Sequence, residues 1–275
     1  MQLYNLKNKL GIIKITGIDS AKFLQGQLTN DINSLLPAIQ NGCLTHQFSA
    51  HLNHKGRILA NFIIINPEVN TYCLVTNIEV IEKILPRLKM FVLRAKVEIS
   101  LLDTHIFLSD HILIENNNIN ITLAINSYLV ISNQIYESVT NDNTWTELLI
   151  NHGIAFIYTE TVEKLIPQQI NLDILGGISF TKGCYTGQEI VARTHYLGKI
   201  KRRLFKFVVQ SSLNINIGQI VISPKLDNQE VGLIVEILKL QDNSYIGLIS
   251  MQADCTDSVF LDVENKIPVN IKEIN

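Results

Sequence analysis

Lys182-Gly183-Cys184-Tyr185-Thr186-Gly187-Gln188-Glu189, preceded by Gly176-Gly177-Ile178-Ser179-Phe180-Thr181, is unlike any other stretch of this 275-residue chain. It sets four glycines, a lysine, a cysteine and two aromatic residues side by side. Thr186-Gly187-Gln188-Glu189 fits the S/T-x-x-E capping box, and Ile190 and Val191 follow it. The pattern predicts a helix opening just after Thr186. Cys184 then stands two residues before the cap, at the positive end of the helix dipole, with Lys182 two residues upstream. Both neighbours favour thiolate over thiol. A cysteine so placed is a nucleophile, a redox-sensitive group or a transient metal or sulfur ligand; alternatively it is a small residue fitted to a tight turn. The surrounding glycines, lysine and cap favour the functional sulfur. Cys184 is accordingly expected to react with an alkylating agent faster than Cys43, Cys73 or Cys255.

Downstream of the motif the charge pattern is one-sided. No acid lies between Glu189 and Asp227, whereas Arg193, Lys199, Lys201, Arg202, Arg203, Lys206 and Lys225 are basic. Such a stretch favours anions: carboxylate tails, phosphates or nucleic acid. Beyond Arg203, short β runs at Leu204–Val209, Gln219–Ser223, Val231–Leu238, Tyr245–Ile249 and Val259–Val263 predict a small terminal barrel or sandwich. Gly198–Arg203 is the expected boundary, dividing the chain into 1–198 and 199–275. Upstream, Asp19-Ser20 is placed to cap a helix from Ala21 toward Gln25, with Gly26 ending it or allowing close packing. Strands are expected at Leu44–Phe48, Ile58–Ile65 and Tyr72–Val75, with turns at Asn53-His54-Lys55-Gly56 and Asn66-Pro67. Asn77 caps a helix with Ile78, Ile81, Leu85 and Leu88 on one face, disturbed at Pro86. Short strands with Asn-rich turns follow from Val97 to Ser132. Thr144-Trp145-Thr146-Glu147 reads as a second capping box, with Gly153 as the helix stop.

Hydrophobic residues make up 47% of the chain and charged ones 17%, with mean hydropathy +0.19 and net charge −2, a balance that supports a folded core rather than disorder. The apolar runs are strand-sized, far from the roughly 20 residues a bilayer span needs. The first residues lack a signal-peptide pattern, so a cytoplasmic protein without membrane attachment is expected. The cysteines lie far apart without a C-x-x-C pair, which argues against structural zinc and a disulfide framework. His46, His51 and His54 lack acid or cysteine partners at ligand spacing and read as a polar turn; no metal site is expected.

The string Lys182 to Glu189 resembles the signature of the YgfZ family, folate-binding relatives of the glycine-cleavage T-protein. The resemblance extends to Phe23-Leu24-Gln25-Gly26-Gln27-Leu28-Thr29-Asn30-Asp31, to Lys55-Gly56-Arg57-Ile58-Leu59, and to Ile166-Pro167-Gln168-Gln169 through Asn171-Leu172-Asp173. These blocks occur in family order from about Phe23 to Arg193. The resemblance implies a ring-like α+β fold of two α+β subdomains plus a C-terminal β-barrel, with tetrahydrofolate in the central opening. It further implies support of iron–sulfur enzymes and, through one of them, tRNA modification, with a bacterial member tied to DnaA-dependent replication initiation.

T-proteins carry two adjacent aspartates in the strand after the glycine-rich turn, and the matching positions here are Ala60-Asn61. Neither residue can act as a carboxylate base, so an aminomethyltransferase is the alternative rather than the leading expectation. For a reduced folate the candidate contacts are Gln25, Gln27, Thr29, Asn30, Asn61, Gln188, Glu189 and Arg193. Asp31 adds a further polar edge, Phe180, Tyr185 and Tyr196 are candidate aromatic walls, and Arg193 and the basic run would meet the glutamate tail. Cys184, with Lys182 and Tyr185, is the candidate reactive centre. A further alternative is direct tRNA binding by the basic 190–226 stretch, with Tyr196, Phe205 and Phe207 as stacking groups.

Overall fold

The computed structural model describes residues 2–139, 143–198, 200–261 and 267–274. Lys199 of the basic run and Val263 of the last expected strand lie outside them. Among the described residues the architecture is α+β, with three larger antiparallel sheets and short helices. The central sheet orders His46–Leu52, Ile58–Glu68, Thr71–Asn77, Leu10–Thr16 and Glu98–Leu102. Alternation along its strands sends side chains to two different cores. Ile13, Ile15, Phe62, Ile64 and Leu74 face one core with helices α1 (Ser20–Gln27) and α2 (Ile78–Met90). Ile12, Ile63, Ile65, Cys73 and Val75 face the other, with helix α3 (Thr144–His152) and the second sheet. That sheet orders Leu3–Asn5, His105–Ser109, Ser127–Ser132 and Ile119–Ala124. Burying a side chain such as Phe62 stabilises the fold by about 1.5–3 kcal/mol, which is why so apolar a sheet sits in the middle.

The C-terminal sheet orders Ile220–Ser223, Gln229–Lys239, Ser244–Gln252, Arg202–Gln210 and Asn270–Lys272. Single bridges from Ile222 to Phe260 and from Phe260 to Pro268 link its two edge regions. Phe207, Val231, Ile249 and Met251 fill its own core, while Leu204, Leu233, Val235 and Leu248 join the core beneath the central sheet. No helix among the described residues is long and apolar enough to cross a membrane.

Several local expectations need correction. Asn66 and Pro67 lie inside the Ile58–Glu68 strand rather than in a turn, across a register shift between Ile65 and Glu68. The Asn66 amide donates to the Leu35 carbonyl at 2.9 Å, which gives it a place in the interior. Leu44–Phe48 is split between Cys43–Leu44 and His46–Leu52. Gly26 lies within α1, and a Cβ there would meet nothing within 4 Å, so it neither ends the helix nor permits a close approach. Helix α2 continues through Pro86 and buries Val80, Ile81, Ile84 and Leu88, leaving Ile78 exposed. Thr144 is the first residue of α3, not its cap, because the chain enters through Asn143; Gly153 ends it in the left-handed region at φ 63°. His46 and His51 occupy a strand rather than a turn.

Candidate functional site

The motif helix, α4, runs from Gln188 to Tyr196 and opens one residue later than expected, at Gly187. Gly187 has φ 82°, a conformation that costs any residue with a Cβ, and no side chain caps the helix. The Thr186–Glu189 capping box is therefore absent. The reason lies in a neighbouring turn. A Cβ at Gly187 would fall 2.5 Å from the Asn53 carbonyl oxygen and 3.0 Å from the Gly56 Cα, and one at Gly56 would fall 2.8 Å from the Ile190 Cβ. The two glycines let the motif and the 53–56 turn meet backbone to backbone. The turn is itself closed by Asn53, whose Oδ1 accepts the amide N–H groups of Lys55 and Arg57 at 2.9 and 3.0 Å.

Lys182 does not serve the cysteine. Its ammonium points inward, donating to the Leu28 and Asn30 carbonyls at 2.7 and 2.8 Å and lying 5.1 Å from the Tyr185 ring centroid. Burial pushes this lysine down to about 8, against a smaller upward pull from Asp31. Tyr185 is buried beside it and its phenol is pushed up by that burial. Cys184 itself is exposed, whereas Cys43, Cys73 and Cys255 are buried. Burial also pushes the Cys73 thiol up to about 11.

The N-terminal block is stitched to this loop. Thr29 Oγ1 donates to the Gly177 carbonyl at 2.7 Å and accepts the Ala50 N–H at 2.9 Å. The Asn30 amide donates to the carbonyls of Phe48 and Gly176 at 2.9 and 2.8 Å, while its Oδ1 accepts the Asp31 N–H at 2.9 Å. Gln25 donates to Asp31 Oδ1 and accepts the Ile32 N–H, both at 2.9 Å. Asn61 is clamped likewise: Nδ2 donates to the Ala155 carbonyl at 2.8 Å and Oδ1 accepts the Ile157 N–H at 2.9 Å. Gln25, Thr29, Asn30 and Asn61 thus hold the fold with the atoms that were expected to meet a pterin. Gln27 keeps a buried Oε1 with no partner. Gln188 is half-buried, and Glu189 and Arg193 are exposed on α4.

His51 is fully buried, with Nδ1 2.9 Å from the Gln27 carbonyl oxygen and Nε2 3.1 Å from Arg87 Nε. A carbonyl only accepts, so the proton sits on Nδ1 and Nε2 accepts from arginine. Burial, reinforced by the Arg87 charge, pushes His51 down to about 4. At neutral pH it is an uncharged structural link.

Three of the seven basic residues of the stretch pair with acids brought from elsewhere. Arg203 meets Asp173 at 2.7 Å, Arg202 meets Glu230 at 3.4 Å and Lys225 meets Asp257 at 2.6 Å. Lys206 donates to the Asn151 carbonyl at 2.9 Å. Arg193 and Lys201 are exposed, and Phe180 stacks on His195 at 3.7 Å with Tyr196 edge-on.

One cavity escaped the sequence reading. About 240 Å³ in volume, it lies between the central sheet, the C-terminal sheet, helix α3 and their connections, among Lys9, Asn77, Glu79, Trp145, Phe156, Tyr158 and Glu236. Glu236 is buried on the Gln229–Lys239 strand, and its Oε2 accepts the Tyr158 O–H at 2.6 Å. Burial pushes Glu236 up to about 7, against the lowering effect of that hydrogen bond. The signal in the sequence was a single acid inside the apolar run Val231–Leu238.

No family model matches the chain. A tRNA-modifying protein YgfZ from Colwellia psychrerythraea is 31% identical, covering 72% of this chain and 69% of that protein. The chain belongs to the YgfZ family. A second YgfZ, from Hamiltonella defensa, is 28% identical over 87% of this chain and 80% of its own length. An uncharacterised Haemophilus influenzae protein is 32% identical over 75% of this chain and 74% of that one. The crystal structure of aminomethyltransferase T of the glycine cleavage system from Bartonella henselae matches 99% of this chain and 84% of that one, with TM-score 0.72 and 11% identity. The chain therefore has the T-protein fold.

Proposed function

We propose that this protein binds a reduced folate in the cytoplasm and supports tRNA modification through iron–sulfur enzymes, without itself transferring an aminomethyl group. The observation that carries this reading is the motif loop of a YgfZ family member, which keeps Cys184 exposed while Lys182 anchors the loop to the Leu28 and Asn30 carbonyls. The loop is a rigid mount for an accessible sulfur. Asn61 argues against transfer chemistry, because both ends of its amide are committed to the backbone of 155–157. A group in that state neither takes nor stabilises a proton on a ligand.

The residues fit a reduced folate only in part. Gln25, Thr29, Asn30 and Asn61 are committed within the fold, which leaves Gln27 at the end of α1 and Gln188, Glu189 and Arg193 on α4, none of which lines the cavity beside Glu236. The cavity at the meeting of the sheets, about 240 Å³, falls below the roughly 300–1,000 Å³ of sites that enclose drug-sized ligands, so it suits one ring system with the remainder outside. A bound reduced folate supplies a one-carbon carrier. The chain's own part is to orient it, exclude water from its ring and present the Cys184 thiol outward.

Titration calorimetry with tetrahydrofolate, comparing wild type with Cys184→Ala, tests this directly. Binding should survive the substitution, while Cys184→Ala should fail to restore tRNA modification in cells lacking the family protein. Absence of binding to any reduced folate overturns the folate reading. Full complementation by Cys184→Ala overturns the role of the sulfur.

A further inference from the structure

Glu236 is an acid in a strand that otherwise buries apolar side chains on both faces. Its position has a local cause. The pairing between Gln229–Lys239 and Ser244–Gln252 shifts register between Ile234 and Glu236, and a bulge of this kind re-aims the side chain beside it. The carboxyl so directed reaches the cavity walled by Trp145, Phe156 and Tyr158. Its Oε2 accepts from Tyr158 O–H at 2.6 Å and its Oε1 from the Ile237 N–H at 3.1 Å. A carboxylate can accept about four hydrogen bonds, so each oxygen retains a site for a further donor. Lys9 and Glu79 also face this cavity, the first favouring the charged form of Glu236 and the second opposing it.

We propose that Glu236 is the specificity-determining residue of this cavity, its carboxylate accepting two adjacent N–H donors from the edge of a flat heterocycle packed against Trp145 and Phe156. The 2-amino-4-oxopteridine ring of a reduced folate presents such an edge at its exocyclic amine and neighbouring ring N–H. The inference rests on the reduced-folate reading and names the group that recognises the ring. Two parallel donors on one carboxylate form a charge-assisted, bidentate contact that a ring lacking the amine cannot reproduce.

The contact carries a proton signature. Burial holds the free Glu236 near 7, so below that pH the carboxyl is protonated before the ring arrives. Donors on the ring favour the charged form, and binding at low pH must then release the proton. Affinity should fall by about tenfold from pH 8 to pH 6.

Trp145 is the single tryptophan of the chain and lines the cavity, so its fluorescence reports occupancy. The probes are 6-methyltetrahydropterin, its analogue lacking the 2-amino group, and 4-aminobenzoylglutamate. The pterin should perturb Trp145 with the stated pH dependence, and the other two should bind at least tenfold more weakly. Glu236→Gln should weaken pterin binding at least tenfold at pH 8 and flatten the profile. Tyr158→Phe removes a hydrogen bond that lowers the Glu236 pKa, so it should move the profile to higher pH and keep the fold. An unchanged affinity and profile in Glu236→Gln overturns the proposal, as does cavity binding by aminobenzoylglutamate in place of the pterin. If calorimetry still detects tetrahydrofolate under those outcomes, the folate reading stands and this inference alone falls. If calorimetry detects no reduced folate, both fall.

Discussion

Replacing Asn61 with aspartate would put an acid where the resemblance to T-proteins implies one, yet the structure makes that change costly. Asn61 is 3% exposed, donates to the Ala155 carbonyl at 2.8 Å and accepts the Ile157 N–H at 2.9 Å. A protonated aspartic acid keeps both bonds, since its O–H can donate to Ala155 while its other oxygen accepts. Holding it protonated at pH 7 means a folded-state pKa roughly three units above the ordinary value, at about 1.4 kcal/mol per unit, or about 4 kcal/mol. The ionised form avoids that cost but loses the donor and sets a charge against the Ala155 oxygen, about 1–3 kcal/mol for an unpaired buried group and more with charge. The cheaper route sets the outcome, so Asn61→Asp should lose about 2–4 kcal/mol at pH 7. The sign follows from a folded pKa raised above the unfolded one: the penalty is absent below the unfolded value and grows as pH rises. Urea unfolding at pH 5 and pH 7, each against wild type, should show the gap narrowing at pH 5. Equal stability of variant and wild type at pH 7 would refute the clamp, and with it the argument against an acid at this position.

Two further substitutions probe the mount of the motif loop. Lys182→Met leaves the Leu28 and Asn30 carbonyls without their donor in a buried setting and should cost about 2–4 kcal/mol by urea unfolding; a loss below about 0.5 kcal/mol would show that water replaces the ammonium freely. Gly187→Ala, at φ 82° with the Asn53 oxygen 2.5 Å from the new methyl carbon, should cost about 2–4 kcal/mol. Gly183→Ala, with nothing within 4 Å of its Cβ position, should stay within about 0.5 kcal/mol of wild type. A reversed order in thermal denaturation would contradict the backbone contact between the motif and the 53–56 turn.

The sequence carried much of the sheet content, because Ile58–Ile65, Tyr72–Val75 and the runs from Leu204 to Ile249 write burial as apolar density with turns at their ends, whereas Val259–Leu261 contributes only the single bridges of Phe260 instead of the expected strand. Helix starts were less legible. Thr186 and Thr144 both satisfy a capping pattern, but the pattern omits the neighbour that decides the entry, such as the Asn53 oxygen against Gly187. Charge along the chain misled most. The stretch after Glu189 is free of acids in one dimension, yet Asp173, Glu230 and Asp257 arrive from outside it to pair with Arg203, Arg202 and Lys225. For the expected binding residues, residue type shows that Thr29, Asn30 and Asn61 offer hydrogen bonds, whereas only the fold shows that backbone groups already take them. Glu236 went unnoticed because its significance depends on a bulge and on Tyr158, both beyond what local spacing records.

Lys182 lies 154 residues beyond the Leu28 carbonyl and 152 beyond that of Asn30. During translation the amino-terminal block is therefore made long before the side chain that completes it. Until the motif has been synthesised, those oxygens lack the ammonium that joins them in the folded protein. A chain cut short before Lys182 therefore lacks this tie between its amino-terminal block and the segment that bears the exposed sulfur.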